Sequence, residues 1–260
     1  MKSLLRLASK LAPRTAARLG ELSKRVRWLD WLAERDSAFL DYGHRQEFLR
    51  RAFRTLRFNG IDGDYAEFGC AGCITFRLAW EESRRGGYPC RLWALDSFAG
   101  LPAPAGPEDE HPRWNEGELK TSLAAFLALC QRGGIPQKDY EVVAGFYDDT
   151  LVGDGADPGE LPADIALAYI DCDLYSSTRT VLRFLGPRLK HGMIVAFDDF
   201  YCYSATALAG ERRALLEYVA DESRFRFVPY IQFGWGGMSF LVEDAALYGD
   251  LAPADRPLPW

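Results

Sequence analysis

The sequence predicts an α/β fold, a mostly parallel sheet with helices on both faces and an antiparallel hairpin at its C-terminal end. Three observations carry this reading. Short apolar runs alternate with stretches of helical spacing through the middle of the chain. Several of those runs break on an acid or a glycine turn, as strands do at a sheet edge. Two last runs, Phe225 to Tyr230 and Met238 to Val242, flank Gly234-Trp235-Gly236-Gly237 and read as a hairpin.

Taken in order, Leu4, Ala8 and Leu11, then Leu19, Leu22, Val26 and Leu29 recur at helical spacing. Cations stand between them, so residues 2 to 34 read as one or two basic amphipathic helices broken at Pro13. Residues 1–40 are therefore expected to be an appendage and 41–260 the main domain. Docking on the domain or a second subunit, a lid and adsorption to an anionic membrane surface all remain open for the helices. From Asp41 to Phe58, the residues Phe48, Leu49, Ala52, Phe53 and Leu56 form an apolar helical face, which Asn59-Gly60 ends.

The first strand, Asp64 to Phe68, runs into Gly69-Cys-Ala-Gly72-Cys-Ile-Thr75, a glycine turn next to a helix start that lets a ligand approach the backbone. It lacks the G-x-G-x-x-G of a dinucleotide loop. Glu67 at the strand end would repel a pyrophosphate but suits a cationic amino-acid ligand such as S-adenosylmethionine. The second strand, Arg91 to Leu95, ends at Asp96, where an acid commonly takes ribose hydroxyls. Ser97 to Gly117 is a long loop rich in Pro and Gly, with His111 and Trp114, and is a candidate substrate cover. A helix over Leu119 to Cys130 and a strand over Tyr140 to Ala144 follow, and Phe146 and Tyr147 come next, where an aromatic ring could stack on a base. Val152 to Pro162 is an acidic connection. A helix over Ala205 to Val219 precedes the hairpin.

Between these lies the stretch Ile165 to Phe200. The apolar run Ile165 to Ile170 breaks on Asp171-Cys172-Asp173, and Met193 to Phe197 breaks on Asp198-Asp199. The helix between them, Ser176 to Lys190, could be capped by Ser176, Ser177 or Thr178. Strand, helix, strand is a right-handed crossover, so both acidic ends share one edge of the sheet, where open α/β sheets bind ligands. Carboxylates that close raise one another's pKa unless a cation sits among them. Oxygen ligands without paired His or thiolate favour a hard divalent ion such as Mg2+. The other reading makes these acids turn residues and helix caps.

Composition sets bounds. The chain has 260 residues, 48% of them hydrophobic, enough for one sizeable core. A net charge of -6 argues against general nucleic-acid binding. Arg6, Lys10, Arg14 and Arg18 break up any secretory signal, and no stretch is long enough to span a membrane. Six cysteines without a secretory signal point to a reducing cytoplasm. Cys70 and Cys73 form a C-x-x-C, but no second pair stands at zinc spacing. A homo-oligomer is expected, with the N-terminal helices as one means of assembly.

Together Glu67-Phe-Gly-Cys-Ala-Gly72, Leu95-Asp-Ser-Phe-Ala-Gly-Leu-Pro102, Ile170-Asp-Cys-Asp-Leu-Tyr-Ser-Ser-Thr178 and Phe197-Asp-Asp199 resemble the macrocin O-methyltransferase-like family from about Asp41 to Val242. That resemblance implies a Rossmann-like class I methyltransferase fold with a seven-stranded sheet, and methylation of sugar hydroxyls with S-adenosylmethionine and Mg2+. It implies that Asp171, Asp198 and Asp199 hold the metal and that Asp171 is also the base. The cofactor would be surrounded by Glu67, Phe68, Gly69, Cys70, Ala71 and Gly72 of the glycine loop. Asp96, Ser97, Phe98 and Gly100, then Phe146 and Tyr147, would complete its pocket. The family usually has Gly where Cys73 stands, and the N-terminal helices match nothing in the resemblance. The chemistry agrees, since methyl transfer needs alignment of oxygen, methyl and sulfur and a hydroxyl made more acidic. A rival reading takes Asp171-Cys-Asp173 as the D-x-D of a metal-dependent glycosyltransferase using a nucleotide sugar, and a phosphatase could open the same way. Both leave the glycine loop and Asp96 unused. Asp173 and His111 have no role fixed by the sequence, and His191, in a helix-to-strand turn, is expected to be structural.

Overall fold

A computed structural model describes residues 40–151 and 161–249. The predicted basic helices over 2–34, and residues 152–160 of the acidic connection, lie outside the described residues. The chain divides into Met1–Gly43 and His44–Trp260, and the second unit holds the sheet.

A helix over 40–59 (α1) leads into β1 (Asp64–Phe68), α2 (Ile74–Arg85), β2 (Leu92–Asp96), α3 (Leu123–Arg132) and β3 (Tyr140–Ala144). A short α4 (Tyr147–Thr150), β4 (Ile165–Ile170), α5 (Tyr175–Leu185), β5 (Ile194–Phe197), α6 (Gly210–Asp221), β6 (Phe225–Phe233) and β7 (Gly237–Asp244) complete it. The seven strands lie in the order β3-β2-β1-β4-β5-β7-β6. Strands β1 to β5 pair in parallel, and β7 is antiparallel to both β5 and β6. The sequence reverses its direction of winding between β1 and β4, and a crevice opens there beyond the carboxyl ends.

All six residues of β4 are buried, as a parallel strand covered on both faces requires. The predicted apolar face of α1 is buried: Phe48, Leu49, Ala52, Phe53 and Leu56 are each 1% exposed or less. Each of the four larger side chains stabilises the fold by roughly 1.5–3 kcal/mol. Period-two alternation sorts β1 between the layers. The Tyr65 ring meets Phe53 and Phe76, whereas Phe68 meets Tyr147 and Phe184 on the opposite face. Glu67 thus belongs with Tyr65, on the side of α1.

Several element ends differ from expectation, for local reasons. Helix α3 starts at Leu123, because Leu119 has a left-handed φ of 57° and Ser122 is the cap, accepting from Ala125 N at 3.3 Å. Helix α6 starts at Gly210, since Ser204 Oγ accepts from Ala207 N at 3.0 Å and holds a turn where a helix was expected. None of Ser176, Ser177 and Thr178 caps α5. Its cap position is Leu174, and the Ser176 N–H donates to Asp109 Oδ1 at 2.9 Å, so the long loop supplies the acceptor. The hairpin strands run past the expected ends to Phe233 and Asp244.

Candidate active site

The site is built at the tips of β1, β2, β4 and β5. Phe68 pairs with Ile170, and Ile170 with Phe197, so Gly69, Asp171 and Asp198 follow side by side on three neighbouring strands. Gly69 has a φ of +94°, and a Cβ there would lie 1.8 Å from the Asp171 carbonyl oxygen. Only glycine lets the first loop pass this close to the acids.

One cleft joins the two halves of the site. Gly69, Ala71, Asp96, Ser97, Gly100, Phe146 and Tyr147 line it together with Asp171, Asp173, Ser176 and Ser177. Seven of the residues expected around the cofactor therefore meet there. Glu67, Phe68, Cys70, Gly72 and Phe98 do not line it. Glu67 is 1% exposed, is bonded to the Tyr65 hydroxyl and faces α1, and burial pushes its pKa well up. Phe68 is in the core, Cys70 is buried, and Phe98 packs on Phe126. The Gly72 N–H donates to Thr121 Oγ1 at 2.8 Å.

Asp96 spans the cofactor side. Its Oδ2 accepts from Cys70 N and its Oδ1 from Phe98 N, both at 2.6 Å, so it ties the glycine loop to the turn after β2. Burial raises its pKa, and those amides hold it down. Phe146 is 39% exposed and offers a ring to the cleft. At Cys73 φ is 56° and the Sγ lies 3.5 Å from Cys130 Sγ. A left-handed conformation costs an L-residue about 1–2 kcal/mol and glycine nothing, which fits the Gly that the resemblance leads one to expect there.

On the acid side, Asp171, Asp173 and Asp199 each offer a carboxylate oxygen, all within 4.8 Å of one another. This set differs from the expected Asp171, Asp198 and Asp199. Asp198 accepts from Arg45 Nε at 2.9 Å and Nη2 at 2.5 Å, and from the Tyr169 hydroxyl. Arg45 reaches it from α1, across 153 positions of chain. β5 ends at Phe197, and Asp198 and Asp199 lie in the turn that follows, which sends their side chains to different partners. Asp198 accordingly meets α1, whereas Asp199 accepts from Cys202 Sγ at 3.0 Å. Asp173 joins the cluster through a tight turn, with φ of 60° and the Leu174 N–H on the Cys172 carbonyl at 2.5 Å.

Burial and neighbouring acids push Asp171 well above the usual carboxylate range. The same causes raise Asp173 to about 9 and Asp199 to about 6. The long loop closes over this edge. Asp109, 1% exposed, accepts from Ala105 N at 2.8 Å and Ser176 N, and Glu108 pairs with Arg213 at 3.2 Å. Trp114 is buried with Leu101, Leu174 and Cys202, and His111 stacks on it at 4.0 Å. Burial and Arg113 lower the His111 pKa. His191 Nδ1 accepts from Asp244 N at 3.3 Å, in keeping with a structural part.

Sequence reasoning missed Arg45, Asp109 and Glu211. The last is a fully buried acid of α6 whose Oε1 accepts from Cys172 N at 3.2 Å and Oε2 from Asp199 N at 2.9 Å. The one available signal was Arg45 itself, a cation three residues before the first predicted core position of its helix.

A family model described as macrocin O-methyltransferase (TylF) matches residues 8–219. The match begins in the basic N-terminal segment, earlier than the expected Asp41, and stops before the hairpin. A relative from Streptomyces olivaceus, an 8-demethyl-8-(2,3-dimethoxy-alpha-L-rhamnosyl)-tetracenomycin-C 4'-O-methyltransferase, is 31% identical over 163 residues. That alignment covers 60% of this chain and 60% of that relative's length. Among solved structures, the O-methyltransferase NovP is similar with a TM-score of 0.60 and 22% identity over 76% of this chain and 79% of that one. The calicheamicin methyltransferase CalS11 has a TM-score of 0.59 and 22% identity over 75% of this chain and 77% of that one. These two likenesses show the fold, the Rossmann-like class I architecture expected from the sequence.

Proposed function

Because this chain belongs to the macrocin O-methyltransferase family, we propose that it methylates a hydroxyl of a sugar on a glycosylated natural product, using S-adenosylmethionine. The observation that carries the reading is the shared cleft: the Gly69 turn, Asp96 and Phe146 line it together with Asp171 and Asp173. Membership of this family leaves no observation in favour of the nucleotide-sugar glycosyltransferase or the phosphatase.

The cofactor side fits a nucleoside bearing a cationic amino acid. Asp96 keeps lone pairs free for ribose hydroxyls, Phe146 presents a ring for the base, and the Gly69 turn leaves room for backbone approach. The acid side fits a hard divalent cation, because three oxygens converge and burial with mutual repulsion makes the cluster hold protons when no cation neutralises it. Asp171 and Asp199 would hold Mg2+ with Asp173 as arranged here, or with Asp198 once released from Arg45. When bound, S-adenosylmethionine supplies an electrophilic methyl and the cation supplies Lewis acidity that lowers a hydroxyl pKa. Asp171, in the cleft beside the Gly69 turn, takes the hydroxyl proton as general base. The loop carrying Asp109 and Trp114 excludes water and shapes the acceptor pocket.

We also propose residues 1–40 as a basic helical appendage to a catalytic domain of 41–260, serving assembly of a homo-oligomer. We propose a reducing, cytoplasmic setting, which the six free thiols support; no helix among the described residues is long and apolar enough to cross a membrane. The test is calorimetry with S-adenosylhomocysteine, then a screen of glycosylated metabolites with and without EDTA. Absence of cofactor binding refutes the reading, and turnover untouched by EDTA after exhaustive dialysis refutes the metal.

A further inference from the structure

We propose that Glu211 is a positioning residue that sets the spacing of the acidic cluster by bridging the two turns that carry it. The inference rests on the reading of Asp171, Asp173 and Asp199 as a cation site. Glu211 is fully buried in the first turn of α6, yet its carboxylate touches no cation among the described contacts. Both oxygens instead accept main-chain N–H groups. One belongs to Cys172, between Asp171 and Asp173 in the turn after β4; the other belongs to Asp199, in the turn after β5. One rigid carboxylate thus fixes where the backbones of all three acids stand relative to one another.

The surroundings explain why an acid, and one on this helix, does this. Neither turn belongs to the sheet ladder at that point, so these amides would otherwise be buried donors without partners. A carboxylate accepts from both at once, and neutral side chains of the same shape cannot: a Gln amide would turn an NH2 group toward one of the N–H groups. Gly210 lets α6 come this close. Its φ is +62°, and a Cβ there would sit 3.0 Å from the Asp173 carbonyl oxygen and 3.2 Å from the Trp114 ring. The cost is one more buried negative charge beside the acids, and burial with Asp199 raises the Glu211 pKa. For the fold alone, repulsion from Asp199 and Asp173 works against what the two satisfied amides contribute. A cation held by those acids offsets the repulsion.

The experiment uses full-length protein, with Mn2+ as a paramagnetic probe for the cation site and S-adenosylhomocysteine for the other half of the cleft. Glu211→Gln should weaken Mn2+ binding at least tenfold, while the S-adenosylhomocysteine Kd stays within twofold. Glu211→Asp keeps both acceptor oxygens and should recover part of the Mn2+ affinity. Glu217→Gln removes the same charge from the exposed side of α6 and should leave it within twofold. Hydrogen exchange measured without metal should speed at least fivefold in peptides carrying Cys172 and Asp199 in Glu211→Gln. Unchanged Mn2+ affinity and exchange overturn the proposal, and parallel loss of Mn2+ and cofactor binding overturns it in favour of a general structural part. If wild-type protein takes no Mn2+, the metal reading fails on its own, and exchange at Cys172 and Asp199 alone then upholds or overturns the bridge.

Discussion

Removing divalent cations should make this protein lose stability as pH rises, the reverse of ordinary acid unfolding. Asp173 titrates near 3.8 when unfolded and at about 9 in the native cluster, and Asp199 moves from 3.8 to about 6. A carboxyl raised on folding contributes its stability below the unfolded value and loses it as pH climbs through the folded one. Between pH 6.5 and 8.5 Asp199 is mostly ionised in both states, whereas Asp173 keeps its proton only in the native state. One extra native proton gives a slope of about -1.4 kcal/mol per pH unit, so about 3 kcal/mol is lost over that range. For a chain of this size that is roughly 6–12 °C in Tm. Asp171, also raised, steepens the slope. The assay is urea and thermal unfolding at pH 6.5, 7.5 and 8.5, in EDTA and in millimolar Mg2+. With the cation in place of the protons, the slope should flatten and the pH 8.5 protein should gain most. A flat profile in EDTA, or the same slope in both buffers, would refute the argument that these acids share one under-neutralised site.

Asp198→Asn should break the Arg45 pair; breaking a buried pair costs about 3–5 kcal/mol, and with Arg45 30% exposed we expect roughly 2–3 kcal/mol by urea midpoint. In the arrangement seen here Asp173→Asn should weaken Mn2+ more than Asp198→Asn does, and the opposite ranking, by paramagnetic titration, would mean that Arg45 yields Asp198 to the metal. Gly69→Ala forces a methyl to 1.8 Å from the Asp171 carbonyl oxygen, so calorimetry should find S-adenosylhomocysteine affinity down at least tenfold, with methyl transfer lost. Phe146→Ala removes a base-stacking face worth about 1–3 kcal/mol; the cofactor Kd should rise roughly tenfold, with Mn2+ affinity unchanged.

What the sequence by itself determined is what local pattern controls. Apolar runs of strand length, helical spacing in Phe48 to Leu56, and glycines where φ must be positive specify the elements and their order. Right-handed crossovers then bring Gly69, Asp96, Asp171 and Asp198-Asp199 to one sheet edge without any knowledge of packing. The tertiary structure alone decided which acids converge. Whether Asp198 or Asp173 joins Asp171 and Asp199 depends on Arg45, which meets Asp198 from 153 positions away, and on a turn that sets Asp173 at a φ of 60°. Asp109 and Glu211 carry no motif, because each acts on main-chain amides of a distant segment, 67 and 39 residues off, and any sequence offers those amides at every position. Side-chain type and spacing report what a residue can do; its partner is settled by the packing of helices whose relative placement is a property of the whole core.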